Sequence, residues 1–381
     1  MHLVVNALSL GSMSGQHVVF GFLQTMATQW HGQHRITVVH TKKQRLPAEL
    51  VHSGTDSFEV SASLSHWLNR TAWEFHSFPA IIRRLKADVV LTVSGAYLLR
   101  CPVPQAVLCQ NPWCYVPAAQ RGFKERFKAY LQRIGYANAF KRADLVVYIS
   151  HHLRELYCRN NPRSREKNWS VAYVGIDDET FAAAEKNAHL PRIPRSILSV
   201  SAMARWKGID TLIHAVALLH HAGENVTVNL VGPWPDASYR REIDLLIEKK
   251  QLQDCIRIHG HVDEAELHRL YATNEIFCLL SECESFGIPA AEAMTFGTPV
   301  ISTADCAIAE ICESAGLFGP ANDPTWTAEA ILSLLQDRDQ WTAYSNAARN
   351  RAASLLRWHE CSKPLLQIAD LHHSHVKEVK A

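Results

Sequence analysis

Two carboxylates, a lysine and a helix start are the groups in this chain best suited to chemistry. Glu284 and Glu292 stand with seven residues between them in SECESFGIPAAEAMTFGTPVIST, Ser281 to Thr303. An apolar strand pattern, IFCLLS, runs into this stretch. Pro289 and Gly297 then punctuate a helix, proline in its first turn and glycine just past its end. Glu284 therefore falls in the loop at the carboxyl end of a strand, where open α/β sheets bind ligands. Glu292 falls about one turn into the helix and can face the same crevice. The amides of Phe286, Gly287 and Ile288 point off the helix start and suit phosphate oxygens. Carboxylates accept hydrogen bonds from hydroxyl groups. A ligand with sugar hydroxyls at both ends and phosphates between them, a nucleotide-diphosphate sugar, satisfies all of these groups.

Such a crevice needs parallel sheets to hold it, and the chain is patterned for them. Short β-branched apolar runs alternate with helical patterns: HLVVNAL, ITVVHT, ADVVLTV, AVLCQ, ADLVVYIS and VAYVGI in the first half. In the second half come SILSVS, VTVNLVG, CIRIHGHV, EIFCLLS and TPVIST. Continuous apolar runs are the mark of strands buried on both faces, and their alternation with helices predicts parallel sheets covered by helices. GIDTLIHAVALLHHA puts Ile209, Leu212, Ile213, Val216 and Leu219 on one helical face. Residues 182–195 lose the alternation and carry two prolines, which predicts a linker. The expected architecture is α/β: two doubly wound, Rossmann-like domains with parallel sheets and a cleft between them.

Bulk properties exclude several classes. The chain has 381 residues, 47% apolar and 20% charged, as an ordinary globular protein of two domains has. A net charge of +2 does not point to nucleic acid. Ten cysteines without a C-x-x-C pair fit a reduced, intracellular protein. The opening MHLVVNALSL reads as a first strand without a basic leader. The longest uncharged run, Cys101 to Gln120, holds four prolines and is poor as a spanning helix.

The stretch ESFGIPAAEAMTFGTPVI is similar to the E-x7-E signature of retaining glycosyltransferases of family four, which have the GT-B fold. SVSAMARWKGIDTLIHA resembles that family's strand, phosphate-binding lysine and helix. LVGPWPD and IHGHVDEAELHRLYATNEIFCLLSECESFG follow its order, and ISHHLRELY, VAYVGIDDETF and RWHECSKPLLQIA are also family-like. The resemblance is strong over residues 196–325 and looser before 140. It implies that Glu284 contacts the donor sugar, that Glu292 contacts the nucleotide ribose, and that Lys207 neutralises the diphosphate. Further donor contacts are expected from Arg205, Gly232, His261, Val262, Ser285, Phe286, Gly287 and Ile288, and acceptor-side contacts from Gly15 and Gln110. It further implies an acceptor-binding domain over 1–188, a donor-binding domain over 189–358, and a last helix, 359–381, returning to the first domain. The implied activity is metal-independent transfer of a hexose from a UDP- or GDP-linked donor to a hydroxyl of a glycan or lipid-linked acceptor, with retention and without a cofactor. Surface polysaccharide or glycoconjugate synthesis, in the cytoplasm, is the expected setting.

The chain departs from the family in three places. Ala202 stands where an arginine is common five positions before the lysine, and Arg205 is the nearby substitute. The first loop, GSMSGQ, offers only Gly15 at a helix start, and Gln110 stands where a histidine is common. Other motifs have plainer readings. Gly11 and Gly15 do not make G-x-G-x-x-G. Asp337 and Asp339 read as a solvated pair at a helix end. His259 and His261 lack a third metal ligand, and Cys283 lacks a fixed base. Segment 120–142 carries seven basic residues against one acidic, interleaved with Phe and Tyr, which fits either an exposed helix or one lying on an anionic membrane. The rival functions are a GT-B-fold epimerase or phosphorylase and a non-catalytic sugar-nucleotide-binding relative.

Overall fold

The structure, a computed structural model, describes residues 1–30, 32–44, 46–117, 120 and 122–372. It divides into two compact units, Met1–Gly175 together with the chain from Trp358 onward, and Ile176–Arg357.

The first unit runs β1 (His2–Asn6), α1 (Met13–Gln29), β2 (Arg35–Thr41), α2 (Ala48–His52), β3 (Asp56–Val60), α3 (Trp67–His76), α4 (Phe78–Arg84), β4 (Val89–Val93), β5 (Gln105–Cys109), α5 (Gly122–Arg142), β6 (Leu145–Tyr148), α6 (His151–Asn160) and β7 (Trp169–Val171). Its strands form one sheet in the order β3-β2-β1-β4-β5-β6-β7, parallel throughout. The apolar runs of β1, β4 and β5 are buried along their whole length, as strands covered on both faces must be. Val4, Val39 and Val90 pack with Phe78 and Ile82 in the core on one face.

The second unit runs α7 (Asp178–Lys186), β8 (Ile193–Val200), α8 (Ile209–His221), β9 (Thr227–Val231), α9 (Ala237–Lys249), β10 (Ile256–Gly260), α10 (Glu264–Thr273), β11 (Asn274–Leu279), α11 (Ile288–Thr295), β12 (Val300–Thr303), α12 (Ala307–Cys312), β13 (Gly316–Gly319), α13 (Pro324–Gln336) and α14 (Arg338–Leu355). Its sheet, β10-β9-β8-β11-β12-β13, is also parallel. The expected face of α8 is buried at all five positions, Ile209, Leu212, Ile213, Val216 and Leu219, against β8, β9 and α13 residues.

Three local expectations are corrected. Most of the segment read as a linker is ordered secondary structure: its first five residues, 182–186, end α7, and its last three begin β8. Acidic residues in the first turn of DETFAAAEK, alanines in the middle and Lys186 in the last turn favour that helix, which packs on α10 and α11. The strand expected over VAYVGI stops at Val171; Ile176 instead bridges Arg357, its amide donating to the Leu356 carbonyl at 2.8 Å. The C-terminal segment is broken, not one helix: α15 (Trp358–Cys361) is followed by a 3-10 turn over Lys363–Gln367 with proline in its first turn. Within the first unit Trp358 lies edge-on to Phe22, ring centroids 5.2 Å apart, and occupies space that only glycine leaves open at Gly21 and Gly175. Residues 373–381 of the expected helix lie outside the described residues.

Candidate functional site

In the second sheet the strand order reverses between β8 and β11, which are neighbours. Doubly wound folds bind ligands at such a switch point, at the carboxyl ends of the strands. The loop after β8 carries Lys207, at the end of a 3-10 turn over Arg205–Lys207; the loop after β11 carries Glu284. They are tied together by the Glu282 amide, which donates to the Trp206 carbonyl at 2.9 Å. So close an approach demands glycine at 208: its φ is +65°, and a Cβ there would collide with the Leu280 carbonyl oxygen. Gly208→Ala is therefore expected to destabilise the protein by at least about 1–2 kcal/mol, the cost of left-handed backbone alone; an unchanged denaturation midpoint would contradict this account of the loop.

Lys207 and Glu284 meet. Lys207 Nζ donates to Glu284 Oε1, and Ser281 Oγ lies 3.3 Å from the same oxygen. The two side chains are only 15% and 14% exposed, so the pair is shielded from solvent screening. Beside them α11 begins. Gly287, with φ +92°, turns the chain into the helix where Ile308 leaves no room for a Cβ, and Pro289 follows in the first turn. The Ala290 and Ala291 amides donate to the Gly287 carbonyl, at 2.9 and 3.1 Å, and so are satisfied within the helix start. Phe286 is buried, while Ser285 and Ile288 are half-buried.

Glu292 is held differently. Its carboxylate accepts from Tyr271 Oη at 2.7 Å, and Tyr271 is fully buried and stacked on Phe296. Burial pushes the Glu292 carboxyl up to about 7; the Tyr271 bond pulls down against this, and the charges of Asp177 and Glu264 add to the rise. Tyr271, the partner of Glu292, is not revealed by the E-x7-E spacing, since nothing in HRLYATNEIF separates it from core packing.

Other expected residues are placed as follows. Gly232 follows β9, its amide donating to the Gly260 carbonyl at 2.7 Å and its Cα against the Ser201 backbone, so the chain after β8 and β9 and the end of β10 converge. His261 is exposed and Val262 half-buried, just before Asp263 caps α10. Arg205 is already engaged: it forms a two-pronged ion pair with Glu242, lies 3.7 Å from Asp236 and stacks over Tyr239. The charge that was to replace the arginine absent at Ala202 is thus answered by α9 carboxylates. In the first unit Ser12 caps α1 and accepts from the Gly15 amide at 3.1 Å. A Cβ at Gly15 would lie 3.7 Å from the Gln110 amide nitrogen, so Gly15 and Gln110 are neighbours at the carboxyl ends of β1 and β5. His259 is tied to Asn229 at 2.8 Å, Asp337 caps α14, and burial pushes the Cys283 thiol up to about 12.

Both halves of the chain resemble known proteins. Residues 22–180 match the family described as Glycosyltransferase Family 4, and residues 183–351 match Glycosyl transferases group 1. WcaL of Escherichia coli K12, named as a candidate colanic acid biosynthesis glycosyltransferase, is 29% identical over 231 residues, 57% of this chain and 54% of that protein. The amylovoran biosynthesis glycosyltransferase AmsK of Erwinia amylovora is 27% identical over 62% of this chain and 58% of its own. The chain thus spans little more than half the length of these curated relatives. Among solved structures, sucrose-phosphate synthase of Thermosynechococcus elongatus superposes with a TM-score of 0.75 over 99% of this chain and all of that one, at 20% identity. Anabaena HepE, solved in complex with UDP and glucose, gives 0.73 at 15% identity, covering 97% of this chain and 99% of its own. These likenesses show a shared fold, GT-B, and the two family matches lie end to end over most of the sequence: the chain belongs to glycosyltransferase family four.

Proposed function

We propose that this protein transfers a sugar, with retention and without a metal ion, from a UDP- or GDP-linked donor to a hydroxyl of a glycan or lipid-linked saccharide in surface polysaccharide or glycoconjugate synthesis. The observation that carries the reading is the shielded Lys207–Glu284 pair at the β8/β11 switch point, next to the start of α11. In the proposed reaction the donor diphosphate takes up Lys207 and the amides around Gly287, which hold the charge that grows as the sugar leaves. Glu284, released from Lys207, accepts from the sugar hydroxyls, and Glu292 from the ribose. The second unit holds the donor and the first, through the Gly15–Gln110 corner, receives the acceptor. The departing diphosphate helps take the acceptor proton. Relatives named for colanic acid and amylovoran synthesis support the polysaccharide setting, and the UDP complex of HepE supports a nucleotide donor.

A second reading, donor binding without transfer, is favoured by one observation: Arg205 is committed to Glu242 while Ala202 offers no charge. A thermal-shift panel of UDP- and GDP-sugars, followed by hydrolysis and transfer assays with and without chelator, tests both. Ligand that binds only the folded state raises the midpoint with occupancy. We expect one donor class to raise it and turnover to survive excess chelator, because Lys207 and backbone amides supply the positive potential. A midpoint unmoved by every nucleotide-sugar would overturn the donor site; transfer abolished by chelator and restored by manganese would overturn the metal-free reaction; binding without any turnover would select the second reading.

A further inference from the structure

Among the described residues, the longest helix of the first unit has a face that packing within the unit leaves uncovered. α5 buries Ala129, Tyr136, Ala139 and Phe140, with Tyr136 stacked on Tyr157 at 5.3 Å. On its other side Phe123 is 84% exposed, Phe127 54%, Tyr130 59% and Ile134 46%, with Leu131 beside them. At helical spacing these five fall within a stripe about 100° wide. Phe123 and Phe127 stack on each other, 6.5 Å apart and nearly coplanar, so the pair presents one continuous apolar ridge. Lys124 and Lys128 stand along one edge of the stripe and Arg126 along the other, all exposed, and Glu125 is the sole acid of the helix. Among the described residues no helix is long and apolar enough to cross a membrane, and α5, with its charged flanks, is no exception.

We propose that α5 docks flat on an anionic lipid surface, its aromatic and aliphatic stripe entering the headgroup boundary and Lys124, Arg126 and Lys128 meeting lipid phosphates. Charge decides the occupant. A second copy laid on this face would bring the same three cations against one another, whereas an anionic bilayer offers apolar depth under the stripe and negative charge along both edges. The docking stands apart from the transfer reaction, since none of these residues belongs to the donor site.

The test uses the full chain with vesicles of phosphatidylcholine alone and of phosphatidylcholine mixed with phosphatidylglycerol. Binding should be confined largely to the anionic vesicles and should weaken as salt is raised. Replacing Phe123 and Phe127 together by Ser should lower partitioning about tenfold or more, since each ring loses its apolar burial. Replacing Lys124, Arg126 and Lys128 by Gln should lower it about a hundredfold on anionic vesicles, at roughly 1 kcal/mol per base. Both variants should keep the wild-type melting temperature and the nucleotide-sugar shift, which separates failure of this proposal from failure of the donor site. No binding to anionic vesicles at low salt, binding indifferent to the Phe pair, or a dimer in solution that the Phe pair dissolves would each overturn it.

Discussion

Glu284→Gln is expected to cut sugar transfer by about ten- to a hundredfold or more while the protein stays folded. The substitution keeps the size of the side chain but replaces charge-assisted hydrogen bonds, each worth roughly 1.5–3 kcal/mol, by neutral ones. It also leaves the Lys207 ammonium, 15% exposed, without its carboxylate, and a shielded charge stripped of its partner is destabilising. A loss of about 1–3 kcal/mol of stability is expected from that alone. The double variant Lys207→Met with Glu284→Gln separates the two effects. Removing both charges should restore much of the lost stability, because no uncompensated charge remains, yet activity should stay as low or fall further. Denaturant titration and initial-rate measurements on the three proteins decide it. Wild-type turnover in folded Glu284→Gln, or activity recovered in the double variant, would show the pair to be structural only.

At Glu292 the fold and the proposed function are expected to pull in opposite directions. Burial pushes the folded carboxyl up to about 7 against an ordinary 4.5, so between these values the native state holds a proton that the unfolded chain has released. Stability from this group is therefore full below about pH 4.5, declines as pH rises to about 7, and is flat above. Glu292→Gln removes the cost of burying the charge while keeping an acceptor for Tyr271 Oη. At pH 8 the variant should be more stable than wild type by up to about 3 kcal/mol, and near pH 4.5 the two should be nearly equal. Nucleotide affinity at pH 8 should move the other way, about tenfold weaker, because an amide is a poorer acceptor for a ribose hydroxyl than a carboxylate. Stability curves at several pH values and calorimetry with the nucleotide check both halves. Equal stability at pH 8 would remove the pH argument; unchanged affinity would remove Glu292 from the ribose.

What could be read in the residues follows from how local each signal is. β1, β4, β5, β8 and β11 announce themselves because a strand buried on both faces must be apolar at every position. β3, DSFEV, alternates between exposed and half-buried at the sheet edge, and β13 is four residues bounded by glycines; neither leaves a run long enough to notice. α7 was hidden by its neighbours, since Pro191 and Pro194 made the whole stretch look irregular. The site divides the same way. Proline, glycine and spacing mark Glu284 and Glu292, whereas the meeting of Glu284 with Lys207, 77 positions away, depends on β8 and β11 being adjacent in the sheet. Arg205 makes the same point: its charge is plain in RWK, but the Glu242 paired with it lies on α9, one helix and one strand further on. Side-chain partners across elements are a property of topology, and no local pattern carries them.

The place of Trp358 has a consequence for how the protein is made. The ring sits where Gly21 and Gly175 leave space, yet residues 176–357 must be synthesised between the second glycine and the tryptophan. At ribosomal speeds of about 5–20 residues per second that interval lasts roughly 10–35 s. Throughout it the N-terminal half of the nascent chain waits with an open apolar slot beside Phe22. The C-terminal half is one continuous stretch that ends at Arg357, so it is the first part whose residues have all been made. The unit begun earlier is thus completed by a tryptophan made only after the whole of the other unit.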